Sequence, residues 1–386
     1  MMKPIPCVSL DPASVPSPSF VVDLACLKHN LQTLQEIQNQ SGAKILLALK
    51  GFAMWSTFPL IRNYLAGVCA SGPWEARLGR EEFGKEVHVY APGFTDQDLD
   101  EILPIADKIS FNSVSQWRRH KKRVLSYERK IDCSIRVNPE CSTGKVPLYD
   151  PCVAGSRLGQ LTSAITEEDL EGLTGLHFHT LCEQNADALE LTLEAFDQRC
   201  GKWMKALHWL NMGGGHHITR ADYDRELLVK LIKQTKARYN VDVYLEPGEA
   251  IALGTGVLIG SVVDVTENAG KIAIVDLSAT AHMPDTLEMP YRPDIRDAGE
   301  TGEKPHNYKI GGLSCLAGDI VNLYSFDQPL EIGQRLIFED QAHYTMVKTT
   351  MFNGVKHPSL CTWDPAHEKL TVVRKFHYED YRDKLS

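Results

Sequence analysis

The chain has 386 residues, 43% hydrophobic and 24% charged, with a formal net charge of −9. It is long enough for two domains and a large core, the acidic balance argues against a nucleic-acid surface while suiting a cationic small molecule, and no apolar stretch is long enough to span a bilayer. Ten cysteines without a CxxC pair or zinc spacing predict reduced thiols, and the start Met1–Pro6, with no apolar segment, predicts a cytoplasmic protein.

In chain order, Ser19–Val22 is a short β-type run. Asp23 then caps a helix with Leu24, Leu27, Leu31, Leu34 and Ile37 on one face, stopped by Gly42. Eight strand-like runs alternate with helical patterns from there: Ile45–Leu49, Val68–Ala70, Val87–Tyr90, Lys108–Phe111, Cys133–Val137, Gly175–Phe178, His208–Met212 and Val241–Leu245. Eight βα units predict an α/β fold, a closed (β/α)8 TIM-like barrel over residues 23–250. The basic run Arg118–Arg123 reads as the solvated face of a helix. After Leu253 the alternation stops, and Val257–Val265, Lys271–Val275, Ile320–Tyr324 and Arg335–Phe338 predict a β-barrel-like domain over 251–386. Residues 1–22 join this domain, because the barrel already has its eight strands.

Parallel barrels carry their chemistry on the loops that follow the strands. Those positions hold Lys50, Arg136, Asn138, His177, His179, Gly213-Gly214-Gly215 and Glu246. Lys50 follows the apolar run Ile45–Leu49. A desolvated lysine has a depressed pKa and an amine able to attack an aldehyde such as that of pyridoxal phosphate, whereas a strand-end lysine can also simply snorkel to solvent. Three glycines between a strand and a helix suit either a phosphate seat or a tight turn. Glu246 either holds a proton on a pyridine nitrogen or caps its strand. His179, nearer the strand's carboxyl end than His177, suits a flat contact with a cofactor ring, and His177 reads as a satisfied packing residue. A metal pair at His177/His179 or His216/His217 lacks a third ligand at recognisable spacing, so no metal is expected.

Ala48-Leu49-Lys50, Gly175-Leu176-His177-Phe178-His179, Asn211-Met212-Gly213-Gly214-Gly215, Glu246-Pro247-Gly248 and Cys315-Leu316-Ala317-Gly318-Asp319 occur in the order found in amino-acid decarboxylases of the alanine-racemase fold. The resemblance spans nearly the whole chain. Through Gly175–Glu183 and Glu246–Ala250 it is most similar to the carboxynorspermidine/carboxyspermidine decarboxylases of polyamine biosynthesis.

The resemblance implies pyridoxal 5'-phosphate as cofactor, with Lys50 as its Schiff-base lysine, His179 stacked on the ring, Gly213, Gly214, Gly215 and Tyr344 on the phosphate, and Glu246 at the pyridine nitrogen. It also implies a homodimer with shared active sites, in which Cys315 of the β-domain serves the partner's site as proton donor. Glu249 stands where ornithine and diaminopimelate decarboxylases have an arginine, Leu316 replaces the acidic residue after the cysteine, and Leu181-Cys182 replaces a Gly-Ser. These departures disfavour ornithine and diaminopimelate. Glu249 and Asp285 are the expected contacts for the substrate's distal amines, each with a rim salt bridge as the alternative reading. The competing readings are a diaminopimelate or other basic amino-acid decarboxylase, a racemase on the same barrel, and a cofactor-holding homologue without catalysis.

Overall fold

A computed structural model describes residues 5–144 and 146–386. Met1–Pro4, part of the start that carries the cytoplasmic expectation, and Lys145 lie outside the described residues. No helix among the described residues is long and apolar enough to cross a membrane. The chain forms two compact units, Asn30–Ile251, and Met1–His29 with Ala252–Ser386.

The helix Leu24–Ser41 forms as its pattern predicts. Asp23 Oδ1 accepts from the amides of Ala25 (2.9 Å) and Cys26 (3.1 Å), and Leu27, Leu31, Leu34 and Ile37 are buried. At Gly42, where φ is +69°, the amide closes the last turn on the Gln38 carbonyl at 2.8 Å.

The strands are β1 Ser19–Asp23, β2 Lys44–Ala48, β3 Gly67–Ala70, β4 Glu86–Tyr90, β5 Lys108–Phe111, β6 Asp132–Asn138, β7 Gln160–Leu161, β8 Gly175–His177, β9 Trp209–Asn211 and β10 Asp242–Leu245. Parallel pairing runs β2-β3-β4-β5-β6-β8-β9-β10 and returns to β2, with short β7 added along β6. This is the expected eight-stranded barrel. In β2 the apolar run Ile45-Leu46-Leu47-Ala48 is buried along its length, as a strand covered on both faces must be. The basic run lies on the helix Val114–Leu125, where Arg118 pairs with Asp169 at 2.7 Å, Arg119 with Asp96 at 3.0 Å and Lys121 with Glu171 at 2.7 Å, while His120 turns inward.

The other unit is a mixed sheet built from β1, β11 Gly256–Glu267, β12 Lys271–Val275, β13 His306–Gly311, β14 Ile320–Phe326, β15 Arg335–Phe338, β16 Ser359–Asp364 and β17 Lys369–Arg374. The N-terminal strand belongs to it as expected: β1 runs antiparallel to β11 and parallel to β16. Cys7, Leu10, Val15, Val21, Val257, Ile259, Cys361 and Trp363 form a common core beneath that junction.

Candidate active site

The barrel's strands place one cavity at their carboxyl ends, lined by Ala48, Lys50, Cys69, Ser71, Tyr90, Arg136, His177, His179 and Glu246. Lys50 lies two residues past β2. Its side chain is accessible from within the cavity yet crowded by protein, and this desolvation, with the Arg136 charge, lowers its pKa below the usual lysine value. A lysine with that environment reaches its neutral, nucleophilic form more readily than one on the surface.

Glu246 is 6% exposed. Burial opposes its charge, but His177, the Cys69 thiol, His88 and Asn211 together outweigh burial and hold its pKa below the ordinary glutamate value. Asn211 Nδ2 donates to Glu246 Oε1 at 2.5 Å, and His177 Nε2 stands 3.6 Å from Oε2. The Cys69 thiol is pushed well above its usual pKa by burial and by Glu246, so it remains a donor.

His179 is fixed through its backbone and its ring. Arg136 Nη2 donates to its carbonyl at 2.9 Å, and the Gly214 amide donates to Nδ1 at 3.1 Å, which leaves the ring proton on Nε2. Burial, Lys50 and Arg136 drive its pKa well below the usual histidine value, so the ring is neutral at physiological pH. The glycine run makes this contact available: a Cβ at Gly214 would fall 2.3 Å from the Glu246 carbonyl oxygen, and one at Gly213, where φ is +69°, 2.5 Å from that of Phe178. Gly213 itself donates to Asn211 Oδ1 at 2.8 Å. Two of the three glycine amides therefore organise the wall.

Lys50, His179 and Glu246 meet in the cavity, and the glycine run packs against the last two. His177 is buried as expected but is not a satisfied packing residue, because neither ring nitrogen has a hydrogen-bond partner. Glu249 belongs to the same unit, with its carboxylate 3.1 Å from His217 Nε2. Glu183, His217 and Glu249 form a close cluster, and Arg220 Nη1 lies 3.5 Å from His217 Nδ1, while His217 Nε2 makes no hydrogen bond to the nearby carboxylate.

The remaining candidates lie in the sheet unit. Asp285 is bound to Lys348 at 2.5 Å, and Lys348 also meets Glu288 at 2.7 Å, so the carboxylate already has a cation. Tyr344 precedes the short helix Thr345–Lys348 at a φ of +43°. Cys315 is the one exposed cysteine of the ten. Its loop is held by Asn353 Oδ1 on the Cys315 amide (2.8 Å) and by Asp319 Oδ2 on the Ser314 amide (2.9 Å).

Sequence reasoning passed over the wall residues Cys69, Ser71 and Tyr90, and also His88. Tyr90 donates to Asn112 Oδ1 at 2.7 Å and carries the Arg136 guanidinium over its ring at 4.6 Å. Cys69, Asn211 and His88 act on Glu246. Tyr90 could have been found by the rule that found Lys50, since it ends a strand, as Asn211 of the quoted motif does; Cys69 and His88 lie inside their strands and carry no comparable local signal.

The family described as "Pyridoxal-dependent decarboxylase, C-terminal sheet domain" matches residues 19–342. The chain is 45% identical to a carboxyaminopropylagmatine decarboxylase of Synechocystis sp., over 97% of this chain and 96% of the relative. It is 41% identical to a carboxynorspermidine/carboxyspermidine decarboxylase of Campylobacter jejuni subsp. jejuni, over 95% and 98%. Among solved structures, a carboxynorspermidine decarboxylase from Campylobacter jejuni complexed with norspermidine superposes with a TM-score of 0.89 at 40% identity, covering 96% of this chain and all of that one. The chain belongs to the pyridoxal-dependent decarboxylases, with pyridoxal phosphate as cofactor.

Proposed function

We propose that the protein decarboxylates carboxynorspermidine and carboxyspermidine, amino acids whose side chain is a polyamine. The observation that carries this reading is the match, across almost the full length, to relatives named for such substrates. A second reading has its own support: the relative at 45% identity is named for carboxyaminopropylagmatine, whose tail ends in a guanidinium rather than an ammonium. Both substrates join an amino-acid head to a cationic tail.

The cavity residues fit pyridoxal phosphate by their chemistry. Lys50 offers an amine of lowered pKa for the aldehyde, His179 a neutral flat ring, and Glu246 a buried carboxylate that stays charged and so retains a proton on the pyridine nitrogen. When bound, the cofactor would supply an electron sink for the bonding pair left on the α-carbon as carbon dioxide departs. Within the glycine run, Gly213 and Gly214 shape the wall and Gly215 is proposed to meet the phosphate, with Tyr344 as a further contact. Glu249 is the proposed seat for a tail cation, with His217 Nε2 3.1 Å from its carboxylate. The pairing of Asp285 with Lys348 supports the rim-salt-bridge reading for that residue.

We further propose a homodimer in the cytoplasm, in which Cys315 serves a partner's site and donates the proton that completes the reaction. The exposure of Cys315, beside exposed Leu313 and Leu316 on a tethered loop, supports an interface role, and ten free cysteines suit a reducing compartment. If Lys50→Ala and Cys315→Ala chains are refolded together with verified exchange, roughly half of the dimers are mixed and about a quarter of wild-type activity returns. No recovery in confirmed mixed dimers assigns both residues to one chain, or removes Cys315 from the reaction.

The substrate test is carbon dioxide release from carboxynorspermidine, carboxyspermidine, carboxyaminopropylagmatine, ornithine, lysine and diaminopimelate. The highest kcat/KM is expected on one of the first three. Preference for diaminopimelate overturns the reading, and preference for carboxyaminopropylagmatine selects the second one.

A further inference from the structure

His177 sits in the cavity wall at 1% exposure, yet neither of its ring nitrogens has a hydrogen-bond partner. Buried polar groups are normally satisfied, and a site that needs only bulk is filled more stably by an apolar residue of similar shape. The ring's surroundings narrow its role. Tyr90 meets it edge-on at 5.3 Å between ring centres, an apolar contact that uses neither nitrogen. Burial pushes its pKa down to about 4, and Arg136 and Lys50 press in the same direction against the pull of Glu246, so at neutral pH it is an uncharged imidazole that can donate one proton.

The acceptor in reach is Glu246. Its Oε1 takes Asn211 Nδ2, while Oε2 lies 3.6 Å from His177 Nε2. Closing that gap by less than about 1 Å gives an ordinary N–H···O hydrogen bond. Around Glu246 the titratable groups are His177 from β8, Cys69 from β3 and His88 and Tyr90 from β4, with Lys50 following β2 and Arg136 on β6. His88 is engaged by Glu86 at 3.0 Å, and Arg136 by the His179 carbonyl. His177 is thus the ring donor placed for the second carboxylate oxygen.

We propose that His177 is a positioning residue for the decarboxylation assigned above, holding the Glu246 carboxylate in place and in its charged form. The inference rests on that functional reading for its reaction but not for its electrostatics. His177 acts only through Glu246.

Two variants of the holoenzyme test it. His177→Phe keeps an aromatic of similar shape and removes the donor, whereas His177→Gln returns an N–H at similar reach. For His177→Phe, kcat is expected to fall about tenfold with KM unchanged, as for loss of one hydrogen bond to a charged group. The acid limb of the rate profile, and the pH dependence of the bound cofactor's visible band measured without substrate, should both move to higher pH. His177→Gln should recover most of the rate and restore the limb. Wild-type kcat and limb in His177→Phe overturn the proposal, as does a His177→Gln enzyme no better than His177→Phe. Should His177→Phe not fold, His177→Met and His177→Gln, similar in length and differing in the donor, carry the same comparison. If the wild type releases no carbon dioxide from any polyamine acid, the functional reading falls, while the cofactor band still decides the role of His177.

Discussion

One strand of the barrel carries a lysine at each end, and the two have opposite fates. Lys44 opens β2, where Tyr244 Oη accepts from it at 3.0 Å and Glu86 and Asp242 lie at 3.5 and 3.3 Å. Burial works against its charge, yet these partners win and its pKa rises. Lys50, just beyond the other end, stands in a cavity beside another cation, and its pKa falls. The histidines and glutamates repeat the contrast. At the Lys44 end His88 bonds Glu86 at 3.0 Å, while at the Lys50 end His177 remains 3.6 Å from Glu246 with its nitrogens unsatisfied. Lys, His and Glu satisfy one another at the Lys44 end and are held short of doing so at the Lys50 end, the arrangement expected of the proposed site.

The largest effect that can break this contrast is at Lys50. Lys50→Ala should lower turnover by on the order of 10³-fold or more and abolish the cofactor's visible band, with melting temperature nearly unchanged. A retained band would reassign the cofactor's lysine. Glu246→Gln comes next: an amide stabilises the pyridinium less than a carboxylate, so kcat should drop by about 10²–10³-fold with cofactor still bound. An unchanged rate removes Glu246 from the chemistry.

Lys44→Met should do the reverse of Lys50→Ala. Turnover should survive, and calorimetry should show a melting temperature lower by about 2–4 °C, the scale of a half-exposed ion-pair network. A large loss of rate with the fold intact would erase the distinction between the two ends. The smallest effect is in pH. Burial raises the Glu86 pKa, but His88, Lys44 and Tyr244 together take it down to about 2 from an ordinary 4.5. Its contribution to stability is full above pH 4.5 and is lost as pH falls toward 2. The melting-temperature difference between wild type and Glu86→Gln should therefore shrink steadily over that interval, and a gap that widens on acidification contradicts the assignment.

The barrel was legible because short β-type runs such as Ile45-Leu46-Leu47-Ala48 alternate regularly with helical patterns, and because position at a strand's carboxyl end singles out Lys50, His179 and Glu246 without knowledge of their neighbours. The sheet unit was legible only in part. β17, Lys369–Arg374, is exposed along nearly its whole length and carries no core-facing pattern. β13 opens on His306-Asn307, which hides the apolar alternation that follows. β16 had a readable signal, since Cys361 and Trp363 alternate into the core, and it was passed over. In the site, the character of His177 was not legible, because whether a buried nitrogen finds a partner depends on side chains from other strands.

The pairing of β1 with β16 has a consequence for synthesis. Ser19 lies against Ser359, 340 residues later. At roughly 5–20 residues per second, β1 waits about 20–70 s for its parallel neighbour, while the barrel segment between them is already complete. Until then the apolar Phe20-Val21-Val22 run is an open β-edge. A ribosome stalled short of residue 359 would therefore leave a finished barrel carrying a sticky leader, the part of this chain that a holding chaperone has most reason to cover.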